Sequence, residues 1–349
     1  MDVLELDTPV MIVDLDVLED NVRRLEASLK DLDVRGRPHI KTHKIPAFGR
    51  KQLQAGAIGI CCQKIGEAEI FAAAGFDDIL IAFNIVGRPK AERLARLQHV
   101  AHAVTAVDSR EVVAGIACAA REEGVQVPLV VEIDAGGHRA GVKGADDVVL
   151  LAQEIADKPE LCFEGIMCYP TTEHVIPILQ ESRERLDRAG LPPRVVSGGG
   201  TGRHSLARQA GLTEHRSGTY VYNDMSCVRH GYATIEQCAM QVLVTVVSTA
   251  STGWATVDGG SKTFTNDALQ ADGRNGFVLE YPDVYLERMN EEHGILRTDG
   301  SAARPKVGEK VRIIPNHACG TTNLHDYVAT HRRGKVESIL PIAARGAIR

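Results

Sequence analysis

Short β-rich runs alternate with helical patterns eight times along this chain of 349 residues, and this alternation restricts the possible fold more than any other feature. Eight β–α units in series over about 200 residues predict a (β/α)8 barrel. The alternative is a doubly wound open sheet, but that fold usually has fewer strands and a Gly-rich first turn, which this sequence lacks. The predicted barrel strands are Pro38–Thr42, Ala57–Cys62, Ile79–Phe83, Ala103–Val107, Val127–Asp134, Phe163–Tyr169, Arg194–Ser197 and Arg216–Tyr222.

The pattern changes from Ile235 onward, where helical periodicity gives way to alternating or continuous apolar runs with Gly and Pro between them. Such a pattern is typical of a separate, mainly β domain. We therefore expect residues 15–234 to form the barrel, and residues 1–14 together with 235–349 to form the β domain. The predicted strands of this domain are Gln241–Ser251, Trp254–Val257, Gly276–Glu280, Lys310–Pro315 and Val336–Pro341.

The composition is that of an ordinary globular protein, with 44% hydrophobic and 25% charged residues. A net charge of −6 argues against nucleic acid or an anionic membrane as the partner. No apolar run reaches transmembrane length, and residues 1–9 carry three acids and no basic segment, so we expect no membrane span and no signal peptide. The eight cysteines have no paired spacing, which predicts reduced thiols and a cytoplasmic protein.

Polar residues follow six of the eight predicted barrel strands. Functional groups of a (β/α)8 barrel collect at the C-terminal ends of its strands, so these residues are expected to share one face. Any one of them could belong to a plain turn, but six at the same end favour a site. The segments are Lys41–His43, Cys62–Lys64, Asp134–Arg139, Tyr169–Thr172, Ser197–Gly202 and Gly218–Tyr220.

The stretch Arg37–Lys44 contains an arginine, two histidines and two lysines. A lysine that ends a strand inside a protein must be paired or desolvated. Desolvation is what a Schiff-base lysine requires, which makes this stretch a candidate cofactor anchor. The alternative is a solvated basic loop.

The glycine-rich segment Ser197–Gly202 follows the seventh predicted strand. Consecutive glycines let backbone N–H groups converge on an anion, and the hydroxyl of Thr201 adds a donor. The loops after strands seven and eight of a barrel commonly hold a phosphate, although a flexible turn is the alternative. A phosphate site together with a Schiff-base lysine indicates pyridoxal phosphate.

A second candidate site is Pro315–Gly320, which contains His317 and Cys319. We interpret this segment as extended, which places both side chains on the same face. Imidazole and thiolate suit zinc or another divalent ion of similar softness, and His325 and Asp326 could contact the ligands. The alternative is a buried structural histidine and cysteine.

These motifs resemble the metal-dependent D-threonine aldolase and D-serine dehydratase family. Its members are fold-type III pyridoxal-phosphate enzymes related to alanine racemase, and the resemblance extends over nearly the whole chain. It implies an alanine racemase-like barrel with a C-terminal β domain, a divalent metal (zinc, manganese or magnesium) and a homodimer. The segments that carry it are Arg37–Lys44, Gly59–Lys64, Ser197–Gly202, Gly218–Tyr220, Asn290–Gly294, Pro315–His317 and Asn323–Asp326.

The resemblance also implies a role for individual residues. Lys41 would hold the cofactor, with Lys44 only flanking it, and Tyr169 would line the site. The implied contacts are Gln63 near the cofactor ring, Arg139 facing its phenolic oxygen, a phosphate cradle of Gly200, Thr201, Gly202, Gly218, Thr219 and Tyr220, and metal ligands His317 and Cys319.

Two positions depart from the aldolase pattern. The metal pair of the aldolases is typically His-x-Asp, whereas His317-x-Cys319 is the dehydratase pattern. The aldolases also carry a histidine, a candidate base, directly after the tyrosine that corresponds to Tyr169. Here that position is Pro170, and His174 lies nearby in sequence without being an established substitute.

The leading hypothesis is a lyase on 3-hydroxy-D-amino acids that cleaves its substrate to glycine and an aldehyde, as D-threonine aldolase does. The alternative is elimination to a keto acid and ammonia from D-serine or 3-hydroxy-D-aspartate. A racemase, which would need no metal, is a third and weaker hypothesis. A non-catalytic pyridoxal-phosphate carrier of the single-barrel kind is disfavoured by the roughly 110 residues that follow the barrel.

Overall fold

A computed structural model describes residues 1–266 and 273–349 of the protein. The chain divides into two compact units, and the predicted boundaries at residues 15 and 234 stay a prediction. The β unit comprises Met1–Val22, Thr42–Ile45 and Thr219–Arg345, and the barrel unit comprises Arg23–Lys41, Pro46–Gly218 and Gly346–Arg349.

The described residues form seventeen strands, numbered here in chain order. They are β1 Val10–Asp14, β2 Arg35–Gly36, β3 Ile60–Cys62, β4 Asp78–Ile81, β5 His102–Val107, β6 Val127–Asp134, β7 Leu161–Tyr169, β8 Val195–Gly199, β9 Glu214–Arg216, β10 Met240–Ser248, β11 Trp254–Val257, β12 Gly276–Val278, β13 Tyr285–Met289, β14 Gly294–Arg297, β15 Lys310–Pro315, β16 Tyr327–Arg332 and β17 Lys335–Pro341.

The same residues form nine α-helices. They are α1 Leu15–Asp31, α2 Pro46–Gln54, α3 Ile65–Ala73, α4 Arg88–Leu97, α5 Arg110–Glu123, α6 Ala145–Ala156, α7 Ile176–Arg188, α8 Met225–Arg229 and α9 Ala318–Thr322. None of the helices in the described ranges is long and apolar enough to cross a membrane.

The barrel unit contains a parallel sheet of eight strands in the order β2-β9-β8-β7-β6-β5-β4-β3. The first and last strands of this order meet, because the Ile58 N–H donates to the Gly36 carbonyl over 2.9 Å and the Cys61 N–H donates to the Pro38 carbonyl over 2.8 Å. The sheet is therefore closed, with helices α2 to α7 between its strands. The predicted (β/α)8 barrel is confirmed.

Five of the predicted barrel strands differ from the observed ones by one to three residues at an end, and the first and last are wrong by more. The first was placed at Pro38–Thr42, but β2 ends at Gly36, and Ile40–Thr42 form a 3-10 turn. Proline has no N–H to donate to a sheet, so the regular ladder stops before Pro38. The last was placed at Arg216–Tyr222, but β9 ends at Arg216 and is followed by a 3-10 turn over Thr219–Val221.

The β unit contains a sheet of nine strands in the order β11-β14-β13-β12-β15-β10-β1-β16-β17. Strand β1 pairs antiparallel with β10 and parallel with β16, so the N-terminal strand lies inside this sheet. The predicted mainly β domain is confirmed, and β11 and β15 have the predicted bounds. Its core is a cluster of fully buried aliphatic side chains around Phe264, contributed chiefly by β10, β11, β15 and their neighbours.

Candidate active site

The segment that leads to Lys41 is fixed to the neighbouring strand by backbone hydrogen bonds. The Arg37 N–H donates to the His215 carbonyl over 3.0 Å, and the His39 N–H donates to the Ser217 carbonyl over 2.8 Å. Lys41 follows directly, in the middle of the 3-10 turn. The end of the first barrel strand thus presents Lys41 on a turn, although the strand itself is shorter than predicted.

A buried ion network anchors this segment through Arg37. Its Nε donates to Glu214 over 2.7 Å, and its Nη1 donates to Asp78 over 2.6 Å. The side chains of Arg37 and Glu214 are only 7% and 3% exposed, so both charges depend on each other rather than on water.

Three predicted site residues lie together in the barrel unit. The ammonium nitrogen of Lys41 is 5.8 Å from the ring centroid of Tyr169, and the guanidinium carbon of Arg139 is 4.7 Å from the same centroid. Arg139 also reaches Glu132 over 3.5 Å. Glu132 is buried, and burial raises the pKa of its carboxyl while the charge of Arg139 opposes that rise. The ring of Tyr169, at the end of β7, therefore has two cationic side chains near it, those of Lys41 and Arg139.

Gln63 is part of a hydrogen-bond chain to His39. Its amide nitrogen donates to the Ala82 carbonyl over 2.9 Å, and its amide oxygen lies 3.0 Å from Nε2 of His39. Burial, followed by the charge of Lys41, lowers the pKa of His39 well below its usual value. His39 is therefore neutral and donates this bond to Gln63.

The glycine-rich segment has a geometry that suits a phosphate. Gly200 has a φ of +119° and Gly202 a φ of +77°, conformations that glycine adopts without strain. The Gly200 N–H donates to the Arg216 carbonyl over 2.9 Å. The N–H groups of Thr201 and Gly202 donate no hydrogen bond to any residue in the described ranges. Two adjacent donors at a turn fit the phosphate of pyridoxal phosphate.

Sequence reasoning did not single out Arg216, which lies at the end of β9. It is buried, and its guanidinium contacts the Ser197 hydroxyl and donates to the Cys168 carbonyl over 2.8 Å. Ser197 in turn donates to Glu214 over 2.6 Å. A charged residue inside a barrel strand was the signal available, since isolated charges are seldom buried there.

Of the remaining predicted residues, Gly218 is in the barrel unit, and Thr219, Tyr220, His317 and Cys319 are in the β unit. Thr219 and Tyr220 open the 3-10 turn that follows β9, and the sulfur of Cys319 is 3.7 Å from the Thr219 hydroxyl. The same sulfur is 3.2 Å from the hydroxyl of Thr42, the residue after Lys41. Cys319 is thus surrounded by hydroxyl groups that can bond to a thiolate.

The prediction of an extended His317–Cys319 segment is wrong beyond its first residue. His317 is extended and caps the N-terminus of α9, and Cys319 lies in the first turn of that helix. The backbone N–H that follows His317 is held by Asp224, which sequence reasoning had not connected with this segment. The chain turns here because Asp224 supplies the cap.

The two residues predicted to bind a metal, His317 and Cys319, lie at the start of α9. The described residues contain no group of three or more His, Cys, Asp or Glu side chains arranged to hold a metal ion. His325 donates from Nε2 to the Thr263 carbonyl over 3.0 Å, and Asp326 pairs with Arg345 over 2.6 Å, so both have structural partners. A divalent ion held by His317 and Cys319 alone would need its remaining coordination positions filled by water or substrate, and the metal role of this pair stays a prediction.

Comparison with known proteins identifies the family of this chain. The alanine racemase N-terminal domain model matches residues 13–226, and a serine dehydratase domain model matches residues 239–331. The 3-hydroxy-D-aspartate aldolase of Paracoccus denitrificans (strain Pd 1222) is 34% identical over 99% of this chain and 94% of its own length. The chain belongs to the D-threonine aldolase and D-serine dehydratase family. The resemblance inferred from the motifs is confirmed.

Solved structures of this family agree with that assignment. The crystal structure of D-threonine aldolase from Filomicrobium marinum matches with a TM-score of 0.93 and 32% identity, over 99% of this chain and 98% of the other. A D-threo-3-hydroxyaspartate dehydratase matches with a TM-score of 0.87 and 32% identity, over 98% of this chain and 99% of the other, in a cysteine-to-alanine mutant in the metal-free form. Another mutant of that dehydratase replaces a histidine two residues before this cysteine.

The family consists of pyridoxal-phosphate enzymes, so the predicted cofactor class and lyase class are confirmed. The fold-type III architecture is confirmed as well. The enzymes of this family act on small amino-acid substrates. The roles of individual residues stay predictions.

Proposed function

We propose that this protein is a pyridoxal-phosphate- and divalent-metal-dependent lyase that cleaves 3-hydroxy-D-amino acids to glycine and an aldehyde, as D-threonine aldolase does. One observation carries the proposal. The amine of Lys41 lies 5.8 Å from the Tyr169 ring at the C-terminal end of a barrel, and Arg139 lies over the same ring. A lysine, a cation and an aromatic side chain are the groups needed to hold the cofactor ring at that end.

Each predicted residue has a proposed task. Lys41 holds the cofactor covalently, and the positive charge of Arg139 stabilises its phenolic oxygen. Tyr169 packs against the ring, and Gln63 lies near it. The backbone donors of Thr201 and Gly202, with Gly200 forming the turn that presents them, and those of Gly218, Thr219 and Tyr220, hold the phosphate. Tight backbone turns supply such donors without adding positive side chains.

We further propose that His317 and Cys319 hold a divalent ion, which is zinc, manganese or magnesium. A hard ion such as magnesium prefers oxygen ligands, so the Cys319 sulfur favours zinc among the three. The ion supplies a Lewis acid next to the substrate's β-hydroxyl.

Pyridoxal phosphate supplies the electron sink for the bond that breaks at the substrate's α carbon. Which bond of the substrate breaks depends on whether a base of the protein removes the proton of the hydroxyl group or the proton of Cα. A base that removes the hydroxyl proton leads to cleavage between Cα and Cβ. If Lys41, once the substrate amine has freed it from the cofactor, were instead to take the Cα proton, the hydroxyl group would leave as water, and hydrolysis of the remaining C–N bond would give a keto acid and ammonia.

The second candidate function is therefore dehydration of a 3-hydroxy-D-amino acid. Two observations favour it: the metal pair is His317-x-Cys319, and the position after Tyr169 is Pro170. The dehydratase mutants described above alter a histidine and a cysteine with the same spacing. His174 is exposed and its ring lies against Gly136, so it has room to move but no fixed position as a base.

A product assay decides between the two. The metal-loaded enzyme is incubated with D-threonine, and acetaldehyde and 2-oxobutanoate are both measured. We expect acetaldehyde with an equal amount of glycine. Keto acid without aldehyde would contradict the aldolase proposal and support dehydration, and full activity in EDTA would contradict the metal role of His317 and Cys319.

We also propose that the protein is a cytoplasmic homodimer that binds no nucleic acid or membrane. The net charge of −6 opposes binding to polyanions, and all eight cysteines are free thiols, as in a reducing compartment. A racemase is disfavoured, because it would need no metal. Racemisation of D-alanine that persists in chelator would favour it.

A further inference from the structure

One buried carboxylate in the β unit joins two helices. Asp224 is 1% exposed, and its Oδ1 accepts the Cys227 N–H over 2.9 Å, which caps α8. Its Oδ2 accepts the Ala318 N–H over 2.9 Å. Ala318 is the first residue of α9 and stands between His317 and Cys319. Both oxygens of a single side chain are therefore used to set the starts of two helices.

Helix α8 holds the same segment at a second position. The Ser226 N–H donates to the Asn316 carbonyl over 3.1 Å, and the Arg229 guanidinium donates to the Asn316 side-chain oxygen over 2.8 Å. The Asn316 amide in turn donates to the Arg274 carbonyl over 2.7 Å. The residues on both sides of His317 are thus hydrogen-bonded to α8 or to its N-cap residue, Asp224.

We propose that Asp224 is a positioning residue for the metal pair, an inference that rests on the metal role proposed above for His317 and Cys319. The bond to the Ala318 N–H sets the backbone turn between an extended His317 and a helical Cys319. Without it, the two donor atoms lose the fixed separation that a metal ion requires, because ligand orientation is set by the groups that hold the ligands.

The surroundings of Cys319 make its position sensitive to this bond. Its sulfur lies 3.2 Å from the Thr42 hydroxyl and 3.7 Å from the Thr219 hydroxyl, so a small rotation at the start of α9 breaks one or both contacts. Asp224 hydrogen-bonds the backbone of this segment, and its charge also acts on the side chain of His317. Its hydrogen bond acts through the turn, and a change at Asp224 is expected to weaken metal binding while leaving the cofactor in place.

The test is metal affinity of the holoenzyme, measured with Co²⁺ by equilibrium dialysis after removal of bound metal. Asp224→Asn keeps the shape of the side chain but replaces one acceptor oxygen with a donor. Asp224→Ser keeps a good helix cap for α8 and loses the second acceptor, so it tests the same bond in a chain that retains its fold. Both variants are expected to bind Co²⁺ about tenfold or more weakly, with the visible band of the lysine-bound cofactor unchanged.

Asp258 provides the matched control. Its Oδ1 accepts the Thr245 N–H over 2.8 Å, and its Oδ2 accepts the Thr8 hydroxyl over 2.6 Å, so it also joins two segments of the β unit. Asp258→Asn is expected to lower the melting temperature without changing Co²⁺ affinity. An equal loss of affinity in this variant would show a general effect of stability and overturn the proposal.

Cys319→Ala separates the two levels of the proposal. If it abolishes Co²⁺ binding while both Asp224 variants bind Co²⁺ as tightly as the wild type, Asp224 does not position the pair and the metal site itself stands. If Cys319→Ala binds Co²⁺ as tightly as the wild type, the ion is elsewhere, and both the metal site and the role of Asp224 are wrong.

Discussion

The segment that ends at Lys41 and the segment that contains Cys319 are held in different ways. The lysine segment, Arg35–Lys41, is fixed by backbone hydrogen bonds to the neighbouring strand and the residue that follows it, and by the buried charges around Arg37. The cysteine segment, Pro315–Cys319, is fixed by hydrogen bonds from a short helix and by one carboxylate, Asp224. Under the roles proposed for Lys41 and for His317 and Cys319, cofactor binding is expected to depend on the stability of the barrel, whereas metal binding is expected to depend on a few local bonds. The two functions should therefore be separable by mutation.

The largest expected effect is in the metal pair. His317→Ala and Cys319→Ala are expected to lower the rate of cleavage of D-threonine about a thousandfold, because loss of a Lewis acid costs several kcal/mol in the transition state. The visible band of the bound cofactor is expected to stay. Steady-state rates and absorption spectra of the same samples measure both properties.

The exposed Cys118 on α5 provides the control for loss of a thiol, and Cys118→Ala is expected to keep full activity. If Cys319→Ala loses the cofactor band together with activity, cofactor binding and metal binding are not separable by mutation, and the difference drawn between the two segments is wrong.

The next effect is on the stability of the barrel. Arg37→Met leaves Glu214 buried without its cation, and we expect the free energy of unfolding to fall by about 3 kcal/mol. Chemical denaturation monitored by circular dichroism measures this change. The cofactor band should weaken in the same variant, because Lys41 follows Arg37 by four residues. A stable variant without the band would indicate a direct cofactor role for Arg37 instead.

The sequence predicted the barrel well where a strand is a continuous apolar run. Strand β6 has the predicted bounds Val127–Asp134, because all its residues but the last are buried and the periodicity is unambiguous. The Pro38–Thr42 prediction was wrong because the proline ends the ladder early. The run of polar residues at the barrel ends correctly brought Lys41, Arg139 and Tyr169 together, since parallel strands end at one face.

The cysteine segment could not be predicted in the same way. His-x-Cys was interpreted as extended, but Asp224 lies 94 residues before Ala318 and turns the chain into α9. A local pattern contains no information about a cap that comes from so far away. The buried role of Arg216 was missed for a related reason, because its partners Ser197 and Cys168 come from other strands.

Two carboxyl groups sharpen the comparison further. Asp224 accepts two backbone N–H groups, whereas Oε1 of Glu26 in α1 is buried and has no hydrogen-bond partner among the described residues. Burial raises the pKa of Glu26 to about 7, and the charge of Arg35 opposes this rise. The folded state therefore keeps a proton that the unfolded chain releases above its ordinary pKa of 4.5. Stability from this group is complete below pH 4.5 and is lost as the pH rises to 7.

Glu26→Gln should remove this dependence. At pH 8 we expect the variant to be more stable than the wild type by about 2 kcal/mol, less than the full shift implies because the side chain is only half-buried. Melting temperatures at pH 5, 6, 7 and 8 measure the difference, with Glu173→Gln on the surface as the control. A constant difference across this range would contradict the raised pKa.

The smallest effect is expected at Arg332, which contacts Asp16 and Glu19 on the surface of the β unit, the latter over 2.5 Å. Arg37 holds two carboxylates and Arg332 holds three, the third being Glu337 at 3.2 Å, but Arg332 is 31% exposed and its partners are partly exposed as well. We expect Arg332→Met to lower the free energy of unfolding by less than about 1 kcal/mol. If Arg332→Met lowers the free energy of unfolding as much as Arg37→Met does, burial does not determine how much each arginine contributes to stability.

The most direct test of the central claim is to find which lysine carries the cofactor. Borohydride reduction of the holoenzyme fixes the bond between cofactor and lysine, and peptide mass spectrometry then locates the modified residue. We predict a single modified peptide with the cofactor on Lys41. A cofactor on Lys44, whose amine lies 3.5 Å from the Ala344 carbonyl, or on Lys64, which lies over the Phe83 ring, would contradict the site proposed for this enzyme.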